Sequence, residues 1–302
     1  MIDTFRSEPL DMKVVCDNIV SGIANYVNDN QLKCAVLGLS GGIDSTVCAA
    51  LCKLAKVPTI GISLPCSTNE NCEKSAASLA GAEFCDSFKE VNLESMFASM
   101  KEFCDNSVSN MESTPISQGN IKARLRMITL YDVASKSNGI VIDTDNLTEC
   151  YLGFWTLKGD EGDFNPIGGL WKHEVYDLAR YLKENHFKDS KALEQSIALI
   201  PTDGNGVKAG GDLAQIAEGK TYDDVDEILM AWVGLDSRIK KEVLEKDFNY
   251  GQFKALCEKH GKDVVKDVIM RSVRSEFKRK HRPIVIDIYR GLICDKSGNI
   301  IG

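Results

Sequence analysis

The chain has 302 residues, 43% of them hydrophobic and 26% charged, with a formal net charge of −8. This composition is ordinary for a globular protein, and the length is enough to bury a full core in one large α/β domain. The acidic balance argues against a nucleic-acid-binding protein, which needs a basic surface. A small anionic substrate stays possible, because a local cluster of Lys and Arg is enough to bind it.

The cysteines point to a reducing environment. There are 11 of them, an odd number without paired spacing, and no C-x-x-C pair occurs. This pattern supports neither a disulfide framework nor a zinc site, and we expect Cys48 and Cys52 to be core thiols. No apolar run approaches the ~20 residues that span a bilayer, and the first residues lack the apolar core of a signal peptide. We therefore expect a cytoplasmic protein without membrane association.

The first half of the chain alternates helices with strands. Apolar spacing predicts a helix over residues 10–29, and the apolar run 34–37 predicts a buried strand that leads into a glycine turn and a helix. We then predict a strand at 57–64, helices at 70–80 and 93–104, a loop at 105–118, a helix at 119–136 and a strand at 140–142. This alternation indicates an α/β protein with a doubly wound, mostly parallel sheet flanked by helices.

The second half is mostly helical. Helices are predicted at 172–185, 190–198, 222–233, 236–246 and 262–279. Residues 201–212 hold four glycines and no apolar pattern, so the segment 200–221 is either a mobile lid or a plain surface connection. We treat residues 1–302 as a single domain, with an N-terminal helix in 1–30 and a helical C-terminal part and tail in 222–302. The tail alternates from Pro283 and predicts a strand or an extended arm.

The turn after the first strand is the most informative segment of the chain. A glycine turn between a buried strand and a helix directs unpaired N–H groups and the positive end of the helix dipole at one point, which attracts phosphate. Asp44 would repel phosphate unless a divalent cation lay between them. An ordinary capped turn is the alternative. The nucleotide-binding residues predicted here are Gly38, Leu39, Ser40, Gly41, Gly42, Ile43, Asp44 and Ser45.

A second polar segment, residues 143–149, follows the strand at 140–142. Ligands of doubly wound sheets bind at the carboxyl ends of strands, which places this segment on the same rim as the glycine turn. Thr144 is a candidate nucleotide contact, and Glu149 is a candidate partner of Asp44 in a Mg²⁺ site. Helix capping by Asp145 or Asn146 is the alternative interpretation.

Other charged residues leave two interpretations open. Arg124, on the helix at 119–136, is either a surface residue or a ligand for a substrate anion. The glycine- and acid-rich turn at 156–166 either binds a substrate or is a solvated loop. The preceding aromatic residues 151, 154 and 155 are expected in the core. None of the four histidines forms a recognisable nucleophile motif with Ser or Cys, so covalent catalysis by the protein is not expected.

The glycine turn resembles the pyrophosphate-binding loop of ATP pyrophosphatases, which have the adenine nucleotide alpha hydrolase-like fold. Several further segments, in one order from about residue 12 to 282, resemble the NAD synthetase family within this superfamily. They are residues 119–127, residues 144–149, residues 165–172, residues 175–180, Pro201-Thr202, residues 222–229 and the basic run Lys278-Arg279-Lys280.

The resemblance implies a ligase that uses ATP as co-substrate and Mg²⁺ to adenylate deamido-NAD (nicotinic acid adenine dinucleotide), after which ammonia displaces AMP. It implies a homodimer in which residues 119–136 form part of the interface, and ammonia rather than an attached glutaminase domain as nitrogen source. By the same resemblance, Asp44 and Lys172 are catalytic, and Asp44 and Glu149 hold the metal. ATP contacts would further include Thr144, Lys172 and Thr202, and deamido-NAD contacts would include Arg124, Lys158, Asp163, Phe277 and Lys278.

The chain departs from the family pattern mainly at residues that would bind deamido-NAD, the acceptor of AMP. The family's usual Lys after Thr156 is Leu157 here, with Lys158 one place later, and the acidic turn is one residue shorter near Asp163. Phe277 replaces a common His, Ile200 a common Lys, and Gly211-Asp212 an acidic pair. Two alternatives therefore stay open. One is another adenylating amidotransferase, such as a GMP synthetase-like subunit or a nucleoside-modifying enzyme, and the other is a non-catalytic nucleotide-binding regulator.

Overall fold

The computed structural model describes residues 9–66, 71–107, 113–199, 213, 217 and 219–279. Its strands are β1 (Cys34–Gly38), β2 (Thr59–Ser63), β3 (Ser87–Glu90) and β4 (Gly139–Ile142). The helices of the first two thirds are α1 (Met12–Asp29), α2 (Ile43–Leu54), α3 (Asn71–Phe84), α4 (Glu94–Ser107), α5 (Pro115–Ser137), α6 (Leu147–Leu152), α7 (Lys172–Asn185) and α8 (Lys191–Ala198). They are followed by α9 (Tyr222–Val233), α10 (Ser237–Glu245), α11 (Gln252–His260), α12 (Lys262–Arg274) and a 3₁₀ turn (Glu276–Arg279).

The four strands form one parallel sheet in the order β3-β2-β1-β4. Leu37 of β1 pairs with Gly61 of β2 on one side and with Ile142 of β4 on the other. The chain therefore runs outward from β1 through β2 to β3, and then crosses back to the other side of β1. Such a reversal opens a crevice at the carboxyl ends of the two strands between which it occurs, here β1 and β4.

Helices cover both faces of the sheet. Alternate residues of a strand point to opposite faces, so Ala35 and Leu37 pack with α1, α2, α3, α7 and α8, while Cys34 and Val36 pack with α5. The second face also includes Leu93, at the start of α4, and Leu125 of α5. This arrangement confirms the predicted doubly wound fold.

A separate apolar cluster lies in the C-terminal helices. Val225 of α9, Phe253 of α11 and Val268 of α12 are almost completely buried there, and Leu152 of α6 joins them. The largely helical C-terminal part is thereby confirmed. Cys48 and Cys52 are completely buried in α2, as predicted. Within the described ranges, no helix is both long and apolar enough to cross a bilayer.

Several predicted boundaries were wrong. The long helix begins at Pro115, inside the predicted loop 105–118, because Thr114 and Ser117 form a capping box and Pro is well tolerated at the first helical position. The helix predicted at 262–279 ends at Arg274 and continues as the 3₁₀ turn. Two elements were missed, β3 and α11. The side chains of β3 are largely exposed, and the buried face of α11 includes the polar His260, which weakens its apolar pattern. The predicted loop at 201–212, with Thr202, and the tail from Pro283 lie outside the described residues.

Two helical glycines give opposite expectations for the same substitution. A Cβ at Gly81 of α3 would lie 2.2 Å from Cδ2 of Phe88, whereas nothing lies within 4 Å of a Cβ at Gly22 of α1. We therefore expect Gly22→Ala to stabilise the fold by up to about 1 kcal/mol through helix propensity. Gly81→Ala should destabilise it by roughly 1–3 kcal/mol, because Phe88 must be displaced. Chemical denaturation of the two variants checks this pair. Equal effects of the two substitutions would contradict the packing of α3 on β3.

Candidate active site

The glycine turn has its own internal support. Gly41 has a φ of 87°, in the left-handed region that a glycine adopts without strain. The Oγ of Ser40 accepts a hydrogen bond from the backbone N of Gly42 at 3.1 Å and lies 3.2 Å from the Oγ of Ser45. Among the described residues, no side chain caps the amino end of α2 at Gly42. The first-turn amides of α2 are therefore available to an anion.

The ammonium group of Lys172 lies between two carboxylates at the crevice. Its Nζ is 2.5 Å from Oδ2 of Asp44 and 3.2 Å from Oε1 of Glu149. Only 4% of the Lys172 side chain is exposed, and its Nζ also lies 5.4 Å from the ring centre of Tyr222. Burial by itself lowers the pKa of Lys172, but the attraction of the two carboxylates outweighs it and holds the pKa well above 10.5. Lys172 is therefore a fixed cation at neutral pH.

The carboxylates are oriented by α2 and α6. Asp44 is in the first turn of α2, and its Oδ1 accepts a hydrogen bond from Nδ2 of Asn146 at 2.9 Å. Glu149 uses Oε2 to accept from the backbone N of Asn146, while Oδ1 of Asn146 accepts from the backbone N of Glu149. The capping alternative for this segment is thus present, through Asn146, and Glu149 caps α6 with one oxygen while it contacts Lys172 with the other.

A cavity of about 1560 Å³ adjoins these residues. Its walls come from α5, the turn between β4 and α6, α6 itself, the segment 155–169, the end of α9 and Arg279. Asn146 belongs both to this wall and to the contact with Asp44. The cavity therefore opens beside the Lys172 site at the same edge of the sheet, and a ligand there can reach a second ligand held by the glycine turn.

Comparisons with known proteins identify the family of this chain. The family model described as NAD synthase matches residues 15–281. The NH(3)-dependent NAD(+) synthetase of Fusobacterium nucleatum is 31% identical over 289 residues, which cover 93% of this chain and 98% of that protein. The protein of the same name from Campylobacter jejuni serotype O:6 is 34% identical over 227 residues, or 73% of this chain and 88% of the relative. The chain belongs to the NAD synthase family.

Two solved structures in this comparison share the fold. The NH3-dependent NAD synthetase of Campylobacter jejuni, in complex with nitrate, matches with a TM-score of 0.67 at 27% identity and covers 92% of this chain and all of that one. An NMN synthetase from Francisella tularensis matches with a TM-score of 0.72 at 23% identity, covering 93% of this chain and all of that one. At that identity the second similarity concerns the fold alone.

Three of the residues assigned to the acceptor by resemblance to the family meet in the cavity. Arg124, Lys158 and Asp163 all line it. Nη2 of Arg124 donates to the backbone O of Leu157 at 2.9 Å, which draws the acidic turn against α5. Nζ of Lys158 lies 3.5 Å from Oε2 of Glu161. Thr144 lies in the turn between β4 and α6, at the same edge.

Phe277 and Lys278 of the 3₁₀ turn, which were assigned to deamido-NAD by resemblance, do not line the cavity. Nζ of Lys278 donates to the backbone O of Gly153 at 2.7 Å and to that of Trp155, and the side chain of Phe277 is 57% exposed. The cavity is lined instead by their neighbour Arg279, which donates to the backbone O of Tyr151 at 3.0 Å. Lys278 thus contacts the segment behind the cavity wall. Of the aromatic residues expected in the core, Trp155 is buried, and Tyr151 and Phe154 are partly buried against the C-terminal cluster. Tyr151 and Trp155 also line the cavity.

Sequence reasoning missed Tyr131. Its hydroxyl donates to Oδ1 of Asp163 at 3.0 Å, and it lines the cavity two helical turns after Arg124. Burial is the main reason why the pKa of Tyr131 is raised to about 12, with the hydrogen bond to Asp163 adding to it. The spacing from Arg124 on one face of α5 was the signal that would have identified it.

Three carboxyl groups at or near the cavity wall have raised pKa values, and two of them, Asp143 and Asp145, line the cavity. Burial is the largest cause for Asp143, Asp145 and Asp160 alike. For Asp145, the nearby charges of Asp143 and Glu149 raise the pKa further, and it lies well above 3.8. Burial at all three positions, and like charge at Asp143 and Asp145, therefore disfavour the ionised form of these carboxyl groups.

The raised pKa of Asp145 gives a pH-dependent prediction. The folded state binds a proton at Asp145 more tightly than the unfolded state does, so stability is lost as pH rises from about 4 through the raised pKa. Asp145→Asn removes this loss. We expect the variant to be more stable than the parent at pH 8, by about 1.4 kcal/mol for each unit of pKa shift. The advantage should shrink toward zero at about pH 4.

Denaturant unfolding at several pH values measures this difference. Asp132→Asn serves as the control, because Asp132 is an exposed partner of Lys136 on α5 and its replacement should change stability by less than about 0.5 kcal/mol at any pH. A stability gain of Asp145→Asn that is the same at pH 4 and pH 8 would show that charge is not its cause.

Proposed function

We propose that this chain is an ammonia-dependent NAD synthetase, a ligase that forms the amide of NAD from deamido-NAD, ATP and ammonia. The observation that carries the proposal is the buried Lys172 ammonium held between Asp44 and Glu149 beside an uncapped helix, in a chain of the NAD synthase family. The relatives at 31% and 34% identity are both named NH(3)-dependent NAD(+) synthetases.

The chemistry explains why such a site suffices without a protein nucleophile. A carboxylate resists attack by ammonia because its leaving group is poor. Transfer of AMP from ATP to the carboxylate gives an acyl-adenylate and pyrophosphate, and ammonia then displaces AMP from the acyl carbon. The protein has to bring the two substrates together and to stabilise the charge that develops on pyrophosphate.

We assign the phosphate-binding role to the glycine turn and Lys172. The first-turn amides of α2 would bind phosphate oxygens, and the ammonium of Lys172 would balance the charge on the departing pyrophosphate. Thr144 and Thr202 remain proposed ATP contacts. The carboxylate of Asp44 is 2.5 Å from Lys172 and would orient it.

The acceptor is assigned to the adjoining cavity. Arg124 and Lys158 would attract its phosphates, and Asp163, held by Tyr131, would accept hydrogen bonds from its hydroxyl or amide groups. Lys158 lies one position after the place where resembling sequences carry Lys, and its presence in the cavity wall supports its use in place of Leu157. Phe277 and Lys278 remain proposed on this side, Lys278 through its contacts with the backbone at Gly153 and Trp155.

The residues also fit a Mg²⁺ ion. The crevice already holds positive charge between two carboxylates, and Mg²⁺ is usually bound by one or two carboxylates together with phosphate oxygens and water. In the described part of the chain, no group of three or more His, Cys, Asp or Glu residues is suited to a metal. In this proposal Asp44 and Glu149 would hold the ion together with the triphosphate, where it would neutralise phosphate charge.

We also propose a homodimer built on α4 and α5. Large apolar side chains are exposed on these two helices, and they are Met96, Met100, Phe103, Ile116 and Ile128. Several large apolar side chains exposed on two neighbouring helices are typical of an interface, and self-association across a two-fold axis would bury them on both copies. A cytoplasmic location fits the free thiols of the cysteines that the structure describes.

The proposed activity is tested by AMP and pyrophosphate formation with a panel of acceptors. Purified protein with ATP, Mg²⁺ and ammonia is expected to produce AMP with deamido-NAD and not with XMP. Nicotinic acid mononucleotide belongs in the panel as a smaller acceptor with the same reacting carboxylate. AMP formation with XMP but not with deamido-NAD would favour a GMP synthetase-like amidotransferase. ATP binding without pyrophosphate release for any acceptor would favour a nucleotide-binding regulator.

The Asp44→Ala variant tests the role of the charged site in this assay. Loss of its carboxylate should lower pyrophosphate release by about 100-fold or more, because Lys172 loses its closest partner and the proposed metal loses a ligand. Asp17→Ala, at an exposed position of α1 outside the site and the proposed interface, should leave the rate unchanged. Unchanged pyrophosphate release in Asp44→Ala would refute the proposed role of the site.

The dimer is tested by sedimentation. Wild-type protein at micromolar concentration is expected to sediment as a dimer, and Ile128→Glu as a monomer, because a charge at a position that is 63% exposed in the monomer would be buried at the interface. Leu244→Glu on α10, where the side chain is 37% exposed, should not alter the mass. A wild-type monomer, or an Ile128→Glu dimer, would contradict this interface.

A further inference from the structure

A completely buried carboxylate lies behind the Lys172 site. Asp226 of α9 has no exposed surface. Its Oδ1 accepts a hydrogen bond from Oγ1 of Thr148 at 2.5 Å. Its Oδ2 accepts from the backbone N of His173 at 3.0 Å and lies 2.8 Å from Nδ1 of the same residue. Because a buried carboxylate is costly unless it is hydrogen-bonded, these contacts form a tightly constrained group.

The partners of Asp226 are the sequence neighbours of the two residues that hold charge in the site. Thr148 precedes Glu149 in α6, and His173 follows Lys172 in α7. Oγ1 of Thr148 also accepts a hydrogen bond from the backbone N of Lys172 at 2.9 Å. The Lys172 amide therefore donates to the Thr148 hydroxyl, and that hydroxyl donates in turn to Asp226.

These contacts satisfy the amino end of α7. The first amides of a helix have no intrahelical acceptor, and here the amides of Lys172 and His173 are bound by Thr148 and Asp226. The negative charge of Asp226 also complements the positive end of the α7 dipole. The hydrogen bond to Asp226 raises the pKa of His173, as expected for an ion pair at this position.

Helix α9 therefore contacts the side chain of Lys172 directly and its backbone amide through Thr148. Tyr222, its first residue, presents its ring to the ammonium at 5.4 Å, and Asp226, one turn later, binds the backbone through Thr148. The ammonium itself lies between Asp44 and Glu149. A shift of α9 or a loss of Asp226 would leave the start of α7 without its acceptor and would change the position from which Lys172 reaches a phosphate.

We propose that Asp226 is a positioning residue for Lys172, which fixes the first turn of α7 through Thr148 and His173 so that the ammonium is held at the phosphate end of the site. This inference rests on the proposed function, in which Lys172 binds the phosphates of ATP. It assigns to Asp226 no contact with either substrate. Because Asp226 acts on the amide of Lys172 through Thr148, its replacement is expected to weaken nucleotide binding more than deamido-NAD binding.

Asp226→Asn tests this with minimal change of shape. Asparagine has one acceptor oxygen in place of two, so either the Thr148 hydroxyl or the His173 amide loses its acceptor. With Mg²⁺ and a non-hydrolysable ATP analogue, calorimetry is expected to show about tenfold weaker binding or more, as for the loss of a charged hydrogen-bond acceptor. Binding of deamido-NAD should stay within about twofold of wild type, because the cavity has no contact with Asp226.

Glu227→Gln is the matched control, since Glu227 is the next residue of α9 and its carboxylate binds Lys259 and His260 instead. It should leave both affinities unchanged. Asp226→Asn with unchanged affinity for the ATP analogue would overturn the inference. Equal weakening of both ligands would also overturn it, because it would indicate a general structural role.

Thr148 gives a second test that does not depend on the folding of Asp226→Asn. Thr148→Val removes the hydroxyl between Lys172 and Asp226 at nearly constant volume, and we expect it to weaken the ATP analogue selectively. Thr148→Ser keeps the hydroxyl and should retain most of the affinity. Equal binding by the Val and Ser variants would refute the proposed connection. A wild-type protein that binds deamido-NAD but not the ATP analogue would refute the proposed function itself.

Discussion

The balance of charge around the Lys172 ammonium governs the rest of the site. An ammonium group that is withdrawn from water is costly unless opposite charges and hydrogen bonds replace the lost solvent. Asp44 and Glu149 supply that charge from two different helices, and Lys172 comes from a third. The three elements must therefore meet in one arrangement, which fixes the relative positions of α2, α6 and α7 and keeps a cation at the end of the glycine turn.

The topology explains why these helices meet where they do. β1 and β4 are neighbours in the sheet although they are far apart in the chain, and each leads into one half of the charged site. Asp44 follows β1, and Glu149 follows β4. The cavity lies at the same edge of the sheet, on the side of β4. Two ligands can therefore bind next to each other along this edge.

The cavity proposed for deamido-NAD differs in its charged groups from the site proposed for the ATP phosphates. Its wall combines Arg124 and Lys158 with Asp143 and Asp145, whose pKa values are raised mainly by burial. The link between Arg124 and the turn uses the backbone O of Leu157, so this contact does not require a particular side chain at position 157. This contact therefore forms with Leu157 at the position where resembling sequences carry Lys.

The sequence alone was enough to predict the fold class and the glycine turn between β1 and α2, because strand–helix alternation and turn chemistry are local patterns. It did not predict the start of α5 at Pro115, the exposed strand β3, or the roles of Tyr131 and Asp226. Those depend on contacts between residues far apart in the chain. The position of the Lys172 ammonium between two carboxylates also depends on such contacts, because only the packing of α2, α6, α7 and α9 brings its partners within reach.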